Sequence, residues 1–348
     1  MSIDEKPRMT HHTQEILQKT TMTSATYAPL RGAAVLVTGA AGFIGSHLVD
    51  RLLALGAKVV AVDNMSTGSD ANLEEARKHP DFTFVRADIN RFEEVAQIFS
   101  AHKIDYVFHY AALVGVKNVI ERPLEVFKDI DGIKFLLALA HAHRVRKFVF
   151  ASSSEAYGEP VELPEREEGV LNVNADDPYG LTKLVGENMV RNYWKRFGLP
   201  GCSLRFFNVY GPRQNATPYG FVVGIFIRNA LAGQPLVVFG DGKATRDFVY
   251  VADNVEAAVR SMLMDTTNGQ TLNVGSGSQT TVNELAEKII ALSGKPLVAK
   301  HELERDIEVR YRCPDVSKMR DLIGFEPQVP LEEGLRRTYE WYRATMHD

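Results

Sequence analysis

Val35-Leu-Val-Thr-Gly-Ala-Ala-Gly-Phe-Ile-Gly45 is an apolar, β-branched run that breaks into three glycines spaced three apart, and Ser46-His-Leu-Val-Asp-Arg-Leu-Leu-Ala-Leu55 continues it with helical periodicity. The pattern predicts a strand, a tight turn and a helix. Gly39 supplies the turn, Gly42 has no side chain to hold the backbone off a pyrophosphate, and Gly45 lets helix and strand pack closely. Phosphates then sit on the exposed N–H groups at the positive end of the helix, where Phe43 and Ile44 stand. A glycine triplet also fits a purely structural turn, so a second feature is needed. Lys58-Val-Val-Ala-Val62 reads as the next strand and ends in Asp63, 18 residues beyond Gly45. At that distance an acid accepts the adenosine ribose hydroxyls. An anionic Asp63 repels a 2′-phosphate, and Asn64-Met65-Ser66-Thr67-Gly68 offers no arginine to receive one. The expected cofactor is therefore NAD rather than NADP, held by Gly39, Gly42, Phe43, Ile44, Gly45, Asp63 and Asn64.

Outward from this motif, β-rich runs at 34–38, 58–62, 82–85, 105–109 and 147–151 alternate with helical stretches, which predicts a parallel, doubly wound α/β sheet. Two strand ends offer further cofactor contacts. Phe84-Val-Arg-Ala-Asp88 is followed by Ile89, where the adenine of a dinucleotide would lie; Asp88 could equally cap a helix beginning near Arg91. Tyr106-Val-Phe-His-Tyr-Ala-Ala112 ends in two small residues, Ala111 and Ala112, that admit a flat ring, and His109 reads as a satisfied core histidine. Residues 1–30 are polar and read as a mobile extension with at most one helical turn, at Thr13-Gln-Glu-Ile-Leu-Gln18.

Composition narrows the function classes. At 348 residues with a formal charge of −4, the chain supports a large core and shows no basic excess, which argues against a nucleic-acid groove. Cys202 and Cys313 stand far apart, in no metal-like spacing, so no structural metal and a reducing compartment are expected. No run reaches the length of a membrane span and no apolar signal core opens the chain, so a cytoplasmic protein with no membrane partner is expected.

The strand Lys147-Phe-Val-Phe-Ala-Ser-Ser-Ser154 delivers hydroxyls to the C-terminal edge of the sheet, where open α/β folds place their ligands. Pro178-Tyr179-Gly180-Leu181-Thr182-Lys183 then opens a helix with Tyr179 and Lys183 on one face. A lysine ammonium beside a phenol favours the phenolate, as does an oxidised nicotinamide, and such a tyrosine works as a general base near neutral pH. Taken alone the pair is ordinary surface; after the glycine loop and a serine-bearing strand it is a candidate catalytic group.

In these residues the chain resembles the extended short-chain dehydrogenase/reductase family, specifically the nucleotide-sugar epimerases, dehydratases and decarboxylases. The resemblance rests on Gly39, Gly42, Gly45, Asp63, Ser153 within Ser-Ser-Ser-Glu-Ala-Tyr-Gly158, Tyr179 and Lys183. Leu204-Arg-Phe-Phe-Asn-Val-Tyr-Gly-Pro-Arg213 and Gly240-Asp-Gly-Lys-Ala-Thr-Arg-Asp-Phe-Val-Tyr-Val-Ala-Asp253 extend it to the C-terminal part. It implies a Rossmann-type NAD domain over 31–205, a smaller α/β substrate part over 206–348 with the chain crossing between them, and a homodimer through a four-helix bundle. The apolar stripes for that bundle lie on helices expected at 115–142 and 178–197, the latter with Val185, Met189, Tyr193 and Trp194. It also implies a catalytic set of Ser153, Tyr179 and Lys183, with Glu155 beside it, and a nucleotide sugar, UDP-linked, as substrate. Substrate contacts are expected from Ser153, Asn208, Arg213, Val222 and Arg246, the last suited to a bidentate grip on a pyrophosphate. Arg246 could instead pair with Asp247 or Asp253. Where the family carries an arginine ahead of a Gly-Asp pair, this chain reads Leu303-Glu-Arg-Asp-Ile-Glu-Val-Arg310, so either Arg305, with Asp306, or Arg310 takes that place. Asp315 to Pro327 reads as a helix stopped by a glycine.

The resemblance leaves the reaction among three. Dehydratases resemble Thr-Asp-Glu where this chain has Ser153-Ser154-Glu155, and a serine cannot protonate a departing hydroxyl as a carboxylic acid can. Uronate decarboxylases resemble Thr-Ser-Glu with an arginine at the Arg246 position, so that reaction stays open. The stretch Tyr210 to Gly220, followed by Val222 to Ile227, looks more like the 4-epimerases, and epimerisation is the expected reaction. A regulatory NAD-binding protein that has lost catalysis is the alternative from another class; the intact Ser153, Tyr179 and Lys183 oppose it.

Overall fold

The computed structural model describes residues 25–215, 221–303 and 309–346. Seven strands form one sheet: β1 (Ala34–Thr38), β2 (Lys58–Asp63), β3 (Phe82–Arg86), β4 (Tyr106–His109), β5 (Lys147–Ser153), β6 (Gly201–Phe206) and β7 (Thr271–Val274). Their order is β3-β2-β1-β4-β5-β6-β7 and every neighbouring pair is parallel. This is the doubly wound α/β sheet expected. The order reverses between β1 and β4, so the chain leaves the sheet in opposite directions there and a crevice opens beyond the strand ends.

Alternate strand residues feed two cores, one on each face. Val35 and Val37 join Leu48, Leu52, Leu204 and Met262 on one side, while Leu36 packs with Val62, Ile133, Phe148 and Phe150 on the other. The first face is covered by α1 (Phe43–Ala54). The second is covered by α2 (Phe92–Ala101), α3 (Asp129–Ala142) and α4 (Pro178–Phe197). The C-terminal part returns to the sheet through β7 and through α6 (Val251–Leu263), whose Val255, Ala258 and Val259 enter the first core. The remainder builds a smaller α/β unit from α5 (Val222–Leu231), α7 (Val282–Ser293) and α9 (Leu331–Thr345), while α8 (Ser317–Ile323) lies on β7 and α6. In that unit, Leu236–Phe239 and Ala299–Glu302 pair in parallel.

Three sequence expectations need correction. The single helix expected over 115–142 is three pieces, Val116–Glu121, Pro123–Phe127 and α3; Pro123 has no N–H to give and its ring disfavours helix in the residue before it. The stripe Val185, Met189, Tyr193, Trp194 is not one exposed band: Met189 and Tyr193 pack against the second core. A Cβ on Gly269 would lie 2.3 Å from Trp194 Cδ1, so that half-buried ring has one edge on the chain's own backbone. Val185 stays exposed. Of the N-terminal extension, Leu30 is fully buried and the Tyr27 hydroxyl donates to Glu256, so the last residues of 1–30 are tied to the body; the turn expected at Thr13 to Gln18 lies outside the described residues. Helix α8, ending at the left-handed Gly324, falls where the glycine stop predicted it. Among the described residues no helix is long and apolar enough to cross a membrane.

Candidate active site

The glycine loop shows why side chains are excluded from it. Gly39 has φ +68°, and a Cβ there would lie 2.7 Å from Ala111 N. A Cβ on Gly45 would lie 2.0 Å from the Gly39 carbonyl oxygen, so the contact it permits is helix on turn rather than helix on strand. Gly42 is the N-cap of α1 with no side chain capping it. The N–H groups of the first turn, from Phe43 and Ile44 onward, therefore lack intrahelical acceptors and face the crevice as an anion site. At the end of β2, Asp63 is buried; it accepts from Ala41 N at 3.0 Å and Met65 N at 2.8 Å, and burial raises its pKa. Asn64 accepts from Ser66 N at 2.9 Å and is exposed. An open helix N-terminus, a backbone cradle and a carboxylate at the β2 edge suit a dinucleotide whose ribose is unphosphorylated.

Asp88 does not cap α2, whose N-cap is Arg91 without a side-chain bond. Asp88 accepts from Asn90 N instead, in an Asx turn, and its own N–H donates to Glu94. Ile89 is buried against Gly132. At the end of β4, Thr38 Oγ1 accepts from the N–H groups of Tyr110 and Ala111, both at 3.2 Å, which fixes the small-residue turn Ala111-Ala112 over the crevice. His109 Nδ1 lies 2.8 Å from the same Thr38 oxygen; burial pushes its pKa down to about 3, and it is the satisfied neutral core histidine expected.

Across the crevice, Asp177 caps α4 by accepting from Tyr179 N and Gly180 N. That cap places Tyr179 in the first turn, beside the end of β5, near enough to the Ser153 hydroxyl for it to lower the phenol pKa. Lys183, one turn on, puts its ammonium 5.3 Å from the Tyr179 ring centroid and donates to Ala151 O at 2.9 Å. The structure thus brings Ser153, Tyr179 and Lys183 together. Their titration differs from the sequence expectation: burial raises the Tyr179 phenol, with Glu155, Asp129 and Asp177 adding to the rise against the Ser153 hydroxyl. Lys183 is pushed down to about 8 by burial, with Asp129 and Glu187 opposing. Desolvation outweighs the local lysine that was expected to depress the phenol.

Glu155, at the start of the short turn after β5, is held in a manner the sequence did not signal. Its Oε2 accepts from Arg312 Nη2 at 3.0 Å, while Arg312 Nη1 donates to Glu165 at 2.7 Å. Arg312 and Glu165 are each 2% exposed at the side chain, whereas Glu155 is 45% exposed and faces the opening. The backbones of the two distant segments also pair, Glu165 N to Cys313 O and Asp315 N to Glu165 O. Nothing in spacing could have joined positions 155, 165 and 312.

The other expected substrate residues are distributed unevenly. Asn208 donates to Asp247 O at 3.0 Å and Val222 begins α5. Arg246 lies on the short strand Thr245–Arg246 and donates to Thr245 O. The carboxylates once weighed as its partners are engaged elsewhere: Asp247 by Ser276 and Ser278, Asp253 by Val329 N. Arg310 pairs with Asp241 at the surface, 2.9 Å. Arg213 was expected to face the site edge, yet its guanidinium bonds Asp50 on α1 at 2.8 Å, because a left-handed turn (φ +66°) aims it back over the first helix. Arg305 and Asp306 lie outside the described residues. No group of three or more His, Cys, Asp or Glu among the described residues could hold a metal ion.

The profile of the NAD dependent epimerase/dehydratase family matches residues 35–275. A UDP-glucose 4-epimerase of Mycolicibacterium smegmatis is 38% identical over 310 residues, covering 88% of this chain and 98% of that protein. A UDP-N-acetyl-alpha-D-glucosaminuronate decarboxylase of Bacillus cytotoxicus is 35% identical over 324 residues, covering 90% and 98%. The UDP-glucose 4-epimerase of Thermotoga maritima, solved with UDP-glucose, superposes with a TM-score of 0.85 at 37% identity, covering 90% of this chain and 99% of that one.

Proposed function

This chain belongs to the NAD-dependent epimerase/dehydratase family, and from that premise we propose that it is a nucleotide-sugar 4-epimerase acting on a UDP-hexose or UDP-uronic acid through a transient 4-keto sugar. The observation that carries the reading is the juxtaposition of Ser153, Tyr179 and Lys183 at the sheet edge facing the glycine cradle. NAD, when bound, supplies hydride acceptance from C4 and its return, and a positive ring beside the phenol. The first-turn N–H groups of α1 bind the pyrophosphate and Asp63 binds the adenosine ribose. Tyr179 Oη takes the proton of the C4 hydroxyl and later gives it back. Ser153 Oγ, beside that phenol, donates to the same sugar oxygen and shares its charge, and Lys183 keeps the phenolate accessible. Ser154, buried at 6% exposure, stands where dehydration would need an acid, so water is not expelled from the sugar. In this reading Asn208, Val222 and Arg246 of the C-terminal part contact the nucleoside diphosphate.

A second reading has a specific observation in its favour. Arg312, fixed by Glu165, presents its other nitrogen toward Glu155 at the opening, and an arginine with a carboxylate beside a 4-keto sugar is chemistry that a uronate decarboxylase could use. Incubation with UDP-glucose and with UDP-glucuronate separately decides between them. Inversion at C4 by NMR with no mass change supports the epimerase. Carbon dioxide from the uronate, lost in Glu155→Gln, establishes the decarboxylase instead.

The exposed Leu124, Ile120 and Val185 lie on or beside the helices before and after β5, and they support a homodimer through a four-helix bundle. A monomer by light scattering at micromolar concentration would refute it.

A further inference from the structure

We propose that Asp129 is a positioning residue of this site: the buried counter-charge that holds the Lys183 ammonium protonated beside Tyr179. The inference rests on the catalytic reading of Tyr179 and Lys183 given above.

The geometry comes from how α3 and α4 cross. A Cβ on Gly186 would lie 3.0 Å from Ile133 Cδ1, so the two helices meet at these residues. Both helices connect consecutive strands of a parallel sheet on the same face and therefore run the same way. Asp129 lies one turn before Ile133 and Lys183 nearly one turn before Gly186, which sets the two charged groups at the same level near the two helix starts.

Both are buried, Asp129 at 6% and Lys183 at 4% exposure. The hydrogen bonds of each are to neutral groups. Asp129 accepts from Leu113 N at 2.7 Å and Asn90 Nδ2 at 3.3 Å, and Lys183 donates to Ala151 O. An ammonium and a carboxylate that are both desolvated are costly unless each answers the other.

The surrounding charges leave Asp129 as that answer. On α4 itself, Glu187 is gripped by Arg205 of β6 through bonds of 2.8 and 2.7 Å, and Ser152 of β5 donates to it as well. From β4, His109 is neutral. Around Tyr179, Glu155 is bonded by Arg312 and Asp177 by the N–H groups of the α4 start. Asp88, after β3, adds a negative charge on the far side of Asp129. Asp129 supports the charged form of Lys183 and raises the Tyr179 phenol. It also ties down Leu113, next to the Ala111-Ala112 turn, so charge and loop position are set by one side chain.

The test separates charge from hydrogen bonding. Asp129→Asn keeps an acceptor for Leu113 N and removes the charge. Without that charge both groups titrate lower. The alkaline limb of the kcat/KM profile, where Lys183 loses its proton, should therefore move to lower pH by about one unit, and the acid limb should follow. A readout without turnover is the tyrosinate absorbance of NAD-loaded protein, taken as the difference from Tyr179→Phe; its midpoint should also fall in Asp129→Asn. NAD affinity should stay within about twofold. Should Asp129→Asn not fold, Asp129→Glu must leave the limbs in place and Asp129→Ser must move them. Unmoved limbs, or an alkaline shift, in folded NAD-binding Asp129→Asn overturn the proposal while leaving the site reading intact, provided Tyr179→Phe is inactive. An active Tyr179→Phe overturns both.

Discussion

The two walls of the crevice hold their polar groups by different means. On the cofactor side the partner is backbone: Asp63 takes N–H groups of Ala41 and Met65, Thr38 those of Tyr110 and Ala111, and Asp129 that of Leu113. On the other side Asp177 and Lys183 also use backbone, but Glu155 is held by side chains brought from far along the chain, Arg312 with Glu165. Backbone-held groups depend on local conformation and so on short motifs; side-chain-held groups depend on the whole fold being assembled. Tyr179 stands between the walls, beside Ser153 and within reach of charge from both. Its replacement should give the largest effect. Tyr179→Phe removes the proton acceptor and keeps the ring, and turnover should fall about 10³-fold or more. NAD binding, measured by calorimetry, should persist. Near wild-type turnover would refute the mechanism outright.

Next in size is the wall built from side chains. Glu165→Gln leaves the Arg312 guanidinium, 2% exposed, without its buried carboxylate. Loss of one partner of a buried ion pair costs on the order of 3–5 kcal/mol, to be read by urea denaturation. Were the cost under 1 kcal/mol, this wall would be no more dependent on assembled pairs than the other. The backbone-held wall should respond more mildly and more specifically. Asp63→Ala removes the carboxylate that accepts from Ala41 N and Met65 N and should weaken NAD about ten- to hundredfold, a loss in keeping with hydrogen bonds to a charged group. Turnover at saturating NAD should recover. If kcat fell instead with affinity unchanged, Asp63 would be part of the site's architecture and not a ribose acceptor.

This division also explains what could be read beforehand. Gly39, Gly45 and Asp63 declare themselves because a tight turn and a close backbone approach allow few residue types, and β1 to β5 because buried strands demand unbroken β-branched runs. Helix α4 runs from Pro178 to Phe197 as its cap and periodicity predict. The grouping of Ser153 with Tyr179 and Lys183 was legible only through the family resemblance; alternation of strands and helices gives a parallel sheet but not the order of its strands. Arg312 and Glu165 were invisible because 147 residues separate them and neither carries a signal until the C-terminal segment pairs with the backbone at Glu165. The stripe with Trp194 shows the same limit: periodicity gives an apolar face, and only the fold brings Gly269 against that ring. The raised phenol of Tyr179 was missed because burial, which sequence gives poorly, outweighs the neighbour that sequence gives well.

The smallest expected effect tests the one ion pair described here that joins α1, on the cofactor side, to the turn after β6. Arg213 bonds Asp50 at 2.8 Å, with the two side chains 19% and 35% exposed, and His47 Nε2 lies 2.9 Å from Pro212 O in the same turn. Neither group is sealed from water, so the pair should contribute under about 1 kcal/mol, and Asp50→Asn should shift the unfolding midpoint only slightly. The more telling quantity is KM for the nucleotide sugar. If Arg213 serves only to tether the turn, Asp50→Asn leaves KM within about twofold, because His47 still holds the turn in place. If Arg213 reaches the substrate from this position, release from Asp50 changes its aim. KM then moves about tenfold, in either direction, while NAD affinity stays fixed. That outcome would return Arg213 to the substrate set expected of it, and would show a side chain of the assembled wall acting through a residue of the backbone-held one.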